Sequence, residues 1–201
     1  RERLKGKAAQ EIVDLLFAPS IEREGQNIFE IMLDVDIVHV LMLGKTGILE
    51  QETVSGIVSG LGSIKNEGFS ALSVDYAIED LHYNIEKTLI DRLGIDIGGR
   101  MHTARSRNDL GVTCNRIWLR EKCLRMMNLL NDFRETVLRC AEEHYDTVMT
   151  IYTHSQPAQP VTFGYYLAGA AASLERHFER LRNAYKNINK CPLGGGAIAG
   201  T

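Results

Sequence analysis

The stretch DLGVTCNRIWLREKCLRMMNLLNDFRETVLRCAEE, Asp109–Glu143, decides the fold class because apolar residues recur at helical spacing throughout it. It contains no proline and a single glycine, Gly111. The pattern therefore continues far beyond a typical helix of about 11 residues. Its apolar stripe comprises Trp118, Met126, Leu130, Phe133, Val137 and Ala141. A helix this long and this apolar is typical of a bundle.

A second long helix is predicted after a polar break at residues 147–159. Pro160 stands where a first-turn proline is favoured, and small residues at Ala168–Ser173 (AGAAAS) let neighbouring helices approach closely. Two such helices cannot cover one another completely, so further helices are expected from missing sequence or from other subunits. The apolar stripe of this helix comprises Phe163, Leu167, Ala170, Leu174, Phe178, Leu181 and Tyr185.

Four shorter amphipathic segments precede the long helices. The first is followed by Pro19, the second closes at Gly44, and the third covers Val54 to Ile64. The fourth runs from about Asp75 to Leu93, before Gly94. No alternating run is long enough to predict a strand. The sequence thus predicts an all-α fold, with an N-terminal helical domain at 1–106 and the first part of a long-helix bundle at 107–201.

Composition narrows the class of protein. A chain of 201 residues, 44% hydrophobic and 24% charged, can bury a sizeable core. A net charge of −3 disfavours nucleic acid as a partner. The four cysteines form no CxxC pair, so no metal site or disulfide framework is expected, and reduced thiols indicate a cytoplasmic protein. No apolar run approaches the roughly 20 residues of a membrane span. Because the first residue is not methionine, an upstream piece is expected.

The segment Gly98–Asp109, GGRMHTARSRND, is the strongest candidate site, and it is called the basic turn below. Arg105 and Arg107 can each present a fork of donors to a carboxylate, and Ser106 and Asn108 add neutral donors at a helix start. The alternative is a simple helix cap with solvated arginines. Capping needs only one short polar side chain, so the composition favours an anion site.

Two further polar segments are candidates. Thr153–Pro160, THSQPAQP, places a histidine between the long helices, where an imidazole can exchange protons near neutral pH. The alternative is that its polar side chains only satisfy helix ends. Glu79–His82, EDLH, lies on the fourth helix, but Asp80 and His82 are two positions apart and do not face each other. A solvated helix face is the simpler interpretation of that segment.

GGRMHTARSRND, YTHSQPAQP and the terminal PLGGGAIAGT, in this order and joined by long helices, resemble the argininosuccinate lyases of the fumarase and aspartase superfamily. The resemblance runs from about Asp34 to Thr201 and includes EDLH and DIVHVLML. It implies an all-α homotetramer, with active sites assembled from several subunits and with no cofactor. It also implies the reversible β-elimination of argininosuccinate to arginine and fumarate, a step of arginine biosynthesis.

The resemblance assigns roles by position. Ser106, Arg107 and Asn108 would hold the fumarate-side carboxylates. Thr153 would bind substrate, and His154 would assist proton transfer. Asp80 and His82 match a region near the amine side. The serine base of such lyases lies on a mobile loop beyond the point that matches Thr201, so the 201 residues alone are not expected to be active.

Two alternatives stay open. Leu110 stands where such lyases usually carry glutamine, Ser155 where leucine is common, and the usual tryptophan and glycine-rich start is absent. These departures spare the carboxylate contacts but concern the amine half of the substrate, so a related lyase for another N-substituted aspartate is the first alternative. The second alternative is a catalytically silent, crystallin-like structural protein on the same scaffold.

Overall fold

The computed structural model describes residues 8–196 and residue 198. Helices dominate, which confirms the predicted fold class, and one short hairpin is added to them. The elements in chain order are α1 (Gln10–Ile12), a π-helical turn (Val13–Phe17), α2 (Ala18–Asn27), α3 (Phe29–Lys45), α4 (Gln51–Glu67), a 3-10 turn (Phe69–Ala71), α5 (Leu81–Leu93), α6 (Ile95–Gly98), α7 (Arg107–Glu143), β1 (Val148–Thr153), β2 (Gln156–Thr162) and α8 (Phe163–Ile188).

Contacts divide the chain into two compact units. The first contains residues up to Trp118 together with those from Cys191 onward, and the second contains Leu119–Lys190. The division falls inside α7, so the part of this helix from Arg107 to Trp118 belongs with the shorter helices. The domain boundary between residues 106 and 107 stays a prediction.

The first unit is built around α3, α4 and α5, whose apolar faces meet in one core. Burying one aliphatic side chain stabilises a fold by about 1.5–3 kcal/mol, and the inner faces of these helices contribute many. Two polar residues, Asp36 and His39, lie on the buried face of α3 among them. The apolar residues of α3, α4 and α5 with no exposed surface are Leu33, Val40, Leu43, Ile57, Leu61, Ile64, Leu81, Ile85 and Leu89.

The boundaries of two N-terminal helices differ from the prediction. Helical structure continues past Pro19, which lies in the first turn of α2 after the π-helical turn. The π-helical turn directly before α2 is the kind of local irregularity at which a helix accommodates a proline, which has no N–H to donate. The fourth helix begins at Leu81 rather than near Asp75, because Asp80 caps it: Oδ1 accepts the Tyr83 N–H at 2.9 Å. Gly94, with φ of +80°, ends it as predicted.

The second unit pairs the rest of α7 with α8. The thiol of Cys123 lies 3.6 Å from the Leu181 carbonyl oxygen. A Cβ at Gly164 would lie 2.5 Å from the carbonyl oxygen of Ala141, so only glycine allows this close approach. Large apolar side chains on the α7 part of this unit remain exposed, namely Leu119, Leu124, Met126, Leu129, Phe133 and Leu138.

The polar break between the long helices is an antiparallel hairpin, which the sequence analysis did not predict. β1 and β2 pair from Val148 opposite Thr162 to Thr153 opposite Gln156. Pro160 therefore lies in β2 and not in the first turn of α8. The helix is capped instead by Thr162, whose Oγ1 accepts the Tyr165 N–H at 3.1 Å.

Within the described part of the chain, no helix is both long and apolar enough to cross a membrane.

Candidate functional site

The basic turn leads from α6 into α7, and its last residues form the start of that long helix. Ser106 lies just before α7, where its Oγ accepts the Asn108 N–H at 3.2 Å and its carbonyl accepts the Leu110 N–H. Asn108 is exposed. The first turn of a helix carries N–H groups without helical partners and a partial positive charge. The position is one that suits an anion, and the anion site itself stays a prediction.

Arg105 differs from the expectation that it offers donors to a ligand. Its side chain is 1% exposed, and Nη2 lies 2.6 Å from Oδ1 of Asp36, which is 0% exposed. Burial raises the pKa of Asp36 to about 6, against the lowering effect of the Arg105 charge. Arg105 is therefore held inside the first unit by a carboxylate of α3.

Two histidines extend this buried group. Nε2 of His82 lies 3.0 Å from Nδ1 of His102, and Nη2 of Arg105 lies 3.5 Å from the same Nδ1. A guanidinium only donates, so Nδ1 of His102 is an acceptor and His82 donates from Nε2. Nδ1 of His82 is then unprotonated, which agrees with its 3.9 Å separation from the Asp36 carboxylate.

The surroundings of both histidines favour their neutral forms. Burial, and then the charge of Arg105, lower the pKa of His102 to about 4. The same causes hold the pKa of His82 well below its usual range. His82, which is 3% exposed, therefore belongs to the interior beneath the basic turn.

Arg107 lies against the start of α5. Its Nη1 is 2.5 Å from Oδ2 of Asp80 and 3.3 Å from Oε2 of Glu79. Its Cζ lies 4.4 Å from the centre of the Tyr83 ring. The structure therefore brings together Asp80 and Arg107, two residues that the sequence analysis placed in separate motifs.

The glycine-rich end is tied to the basic turn through Asp109. Oδ2 of Asp109 accepts the N–H of Gly194 at 3.2 Å and that of Gly196 at 2.9 Å. Both glycines have positive φ, +93° and +64°, so their N–H groups converge on one oxygen. The last residues of PLGGGAIAGT, apart from Ile198, lie outside the described residues from Ala197 onward.

Thr153 and His154 lie at the tip of the hairpin in the second unit, where both are exposed. His154 and Ser155 are the central turn residues, with φ of +50° and +61°. Positive φ at both central positions defines the turn that matches strand twist, and it normally selects asparagine or glycine. Neither residue is glycine here, so the turn carries backbone strain, a feature that clusters at functional sites.

The candidate residues thus form two groups. Asp80, His82, Ser106, Arg107 and Asn108 belong to the first unit. Thr153 and His154 belong to the second. Sequence reasoning assigned no role to Asp36, His102 or Tyr83, although His102 lies within the basic turn and Tyr83 directly follows EDLH. A further signal was Asp36 itself, a carboxylate within an apolar helical stripe.

Comparison with known proteins identifies the class. The sequence profile of a family described as "Lyase" matches residues 26–201, so the chain belongs to this lyase family. A curated relative from Shouchella clausii, 44% identical over 199 residues, is named argininosuccinate lyase 1. The match covers 99% of this chain and 40% of that protein. Relatives from several archaea, at 39–42% identity, are also named argininosuccinate lyase.

Solved structures agree with this class. An EDDS lyase in complex with formate superposes with a TM-score of 0.80 at 33% identity, covering 98% of this chain and 39% of that one. A variant EDDS lyase with bound fumarate gives a TM-score of 0.79 over the same shares of both chains. The chain therefore spans about 40% of the length of the curated relatives that it matches.

Proposed function

We propose that the protein containing this chain is a carbon–nitrogen lyase that converts argininosuccinate reversibly to arginine and fumarate. The observation that carries the proposal is the basic turn, where Arg107 and Asn108 open a 37-residue helix immediately after Ser106. It gains support from relatives named argininosuccinate lyase that match nearly the whole chain.

The chemistry explains why this arrangement is suitable. A base removes a proton from the carbon next to a carboxylate, and that carboxylate takes up the negative charge. The C–N bond then breaks, the electron pair leaves with the amine nitrogen, and fumarate forms. Fixed donors around the carboxylate lower the barrier because they stabilise charge that develops only during the reaction.

We assign the residues accordingly. Ser106, Arg107 and Asn108 hold the carboxylates of the fumarate half. Thr153 binds substrate, and His154 assists proton transfer from the strained hairpin tip. Asp80, which caps α5, and the buried His82 are assigned to the amine side. The serine that acts as base is expected beyond Thr201.

We also infer a homotetramer whose sites combine segments of different subunits. The support is the row of exposed apolar side chains on α7, since a long uncovered apolar surface marks an association site. The mass of the full-length protein, measured by light scattering, tests this inference.

A related lyase for another N-substituted aspartate is the second candidate. The observation that favours it is the similarity to EDDS lyase at 33% identity and a TM-score of 0.80. Leu110 and Ser155 depart from the residues usual in argininosuccinate lyases. They follow the candidate residues Asn108 and His154 by two positions and one position in the chain.

One experiment separates these functions. The full-length protein is incubated with argininosuccinate and, separately, with other N-substituted aspartates, and fumarate is followed by its absorbance. Fumarate from argininosuccinate supports the first candidate, and fumarate from another adduct alone supports the second. No fumarate from any adduct contradicts the enzyme and favours a silent, crystallin-like protein.

A further inference from the structure

Arg107 is held by groups that all come from one short segment, residues 79–83. Asp80 and Glu79 both contact the guanidinium through Nη1. Tyr83 lies beneath the guanidinium, with Cζ 4.4 Å from the ring centre. A guanidinium over an aromatic face is attracted by the ring, so these contacts fix both the position and the plane of the group.

The holding segment is itself rigid. Oδ1 of Asp80 accepts the Tyr83 N–H at 2.9 Å, so one carboxylate caps α5 and binds Arg107 with its other oxygen. Leu81 and His82, between them, are 0% and 3% exposed. The backbone that carries Tyr83 therefore lies in a capped and buried helix end.

These contacts leave one side of Arg107 for a ligand. Among the described residues the hydrogen bond of the guanidinium is donated by Nη1 to Asp80, and the Arg107 side chain is 33% exposed. Nε and Nη2 form one edge of the planar group, which matches the two oxygens of a carboxylate. The contacts with residues 79–83 thus select which edge of the guanidinium a substrate meets.

We propose that Tyr83 is a positioning residue for Arg107, which it holds with the Nε and Nη2 edge directed to a carboxylate of the fumarate half. This rests on the proposed function for the identity of the ligand. The interaction depends on the aromatic face and not on the hydroxyl group. Leucine at this position would leave Arg107 tethered only through Nη1, free to rotate about that contact.

The test is fumarate binding to the full-length protein, measured by calorimetry. Tyr83→Leu is expected to raise the dissociation constant about five- to ten-fold, the value of one cation–π contact. Tyr83→Phe and Tyr83→Trp keep the aromatic face and are expected to bind fumarate within about two-fold of the parent protein. Tyr76→Leu is the matched control, since Tyr76 contacts Glu22 and not Arg107.

The outcomes are distinct. Unchanged binding in Tyr83→Leu, or equally weak binding in Tyr83→Phe and Tyr83→Trp, overturns the positioning role. A parent protein that binds no fumarate overturns it as well. A parent protein that binds fumarate but releases none from any substrate contradicts the proposed function, while the ratio of the dissociation constants still decides the role of Tyr83.

Discussion

Asp36 and Arg105 form an ion pair sealed from solvent, with Nη2 2.6 Å from Oδ1 and side-chain exposures of 0% and 1%. Removing one partner leaves an uncompensated buried charge, so we expect Arg105→Leu to destabilise the full-length protein by about 3–5 kcal/mol. Replacing both residues by apolar ones, as in Asp36→Leu with Arg105→Met, is expected to cost much less free energy of unfolding than the two single replacements added together. Urea unfolding measures each free energy.

An exposed pair is the control for this prediction. Arg182 and Glu179 lie 2.6 Å apart on α8 with side-chain exposures of 55% and 45%. Arg182→Leu is expected to change the free energy of unfolding by less than about 0.5 kcal/mol. An equal loss from the buried and exposed arginines would contradict the account of Arg105.

His102 makes stability depend on pH. Its folded pKa of about 4 lies below the ordinary value of 6.5, so its contribution is present above 6.5 and is lost as the pH falls towards 4. We expect wild type to lose on the order of 1 kcal/mol between pH 7 and pH 5 through this group, allowing for partial exposure. His102→Gln cannot titrate, so its unfolding free energy should fall less over the same interval. If the unfolding free energy of His102→Gln falls with pH as steeply as that of wild type, His102 is not the source of the pH dependence.

Loss of His154 or Arg107 is expected to remove turnover while the helices remain. His154→Asn and Arg107→Leu should each lower turnover by about two orders of magnitude or more, the usual contribution of an acid–base or charge-stabilising group. His177→Asn changes an exposed histidine on α8 and should leave turnover unchanged. Fumarate release and circular dichroism are measured for each variant, and near-normal turnover in both would remove the roles proposed for them.

Ala104 carries backbone strain immediately before Arg105. Its φ of +57° is the left-handed region, which costs about 1 kcal/mol for a residue with a Cβ. Ala104→Gly should therefore raise the free energy of unfolding by up to about 1 kcal/mol, less the added entropy of the unfolded chain. The same change at Ala168, exposed within α8, should lower it by about 1 kcal/mol. Thermal unfolding compares the signs, and a loss of stability at both positions would contradict the strain argument.

Helix content was predictable because local pattern decides it. The absence of proline located the long helix within two residues of its observed start at Arg107, and Gly94 marked the end of α5. The hairpin was not predictable in the same way. Its turn uses His154 and Ser155 at positive φ, where sequence rules look for asparagine or glycine.

The candidate site was only partly predictable, for a related reason. Arg105 and Arg107 are two positions apart in one motif, yet one is buried against α3 and the other lies half-exposed against α5. The difference arises from two carboxylates, that of Asp36 in α3 and that of Asp80, which caps α5. A motif indicates which chemistry is present, whereas tertiary contacts decide which of its side chains can reach a ligand.

The hydrogen bonds between Asp109 and the glycine-rich end can form only late in the synthesis of the chain. Gly194 and Gly196 follow Asp109 by 85 and 87 residues. At a synthesis rate of about 5–20 residues per second, roughly 4–17 seconds pass before both N–H groups exist. During that interval the Asp109 carboxylate lacks the two N–H groups that it binds in the folded protein. The first unit therefore reaches its final hydrogen bonding only after the ribosome has made the whole of the second.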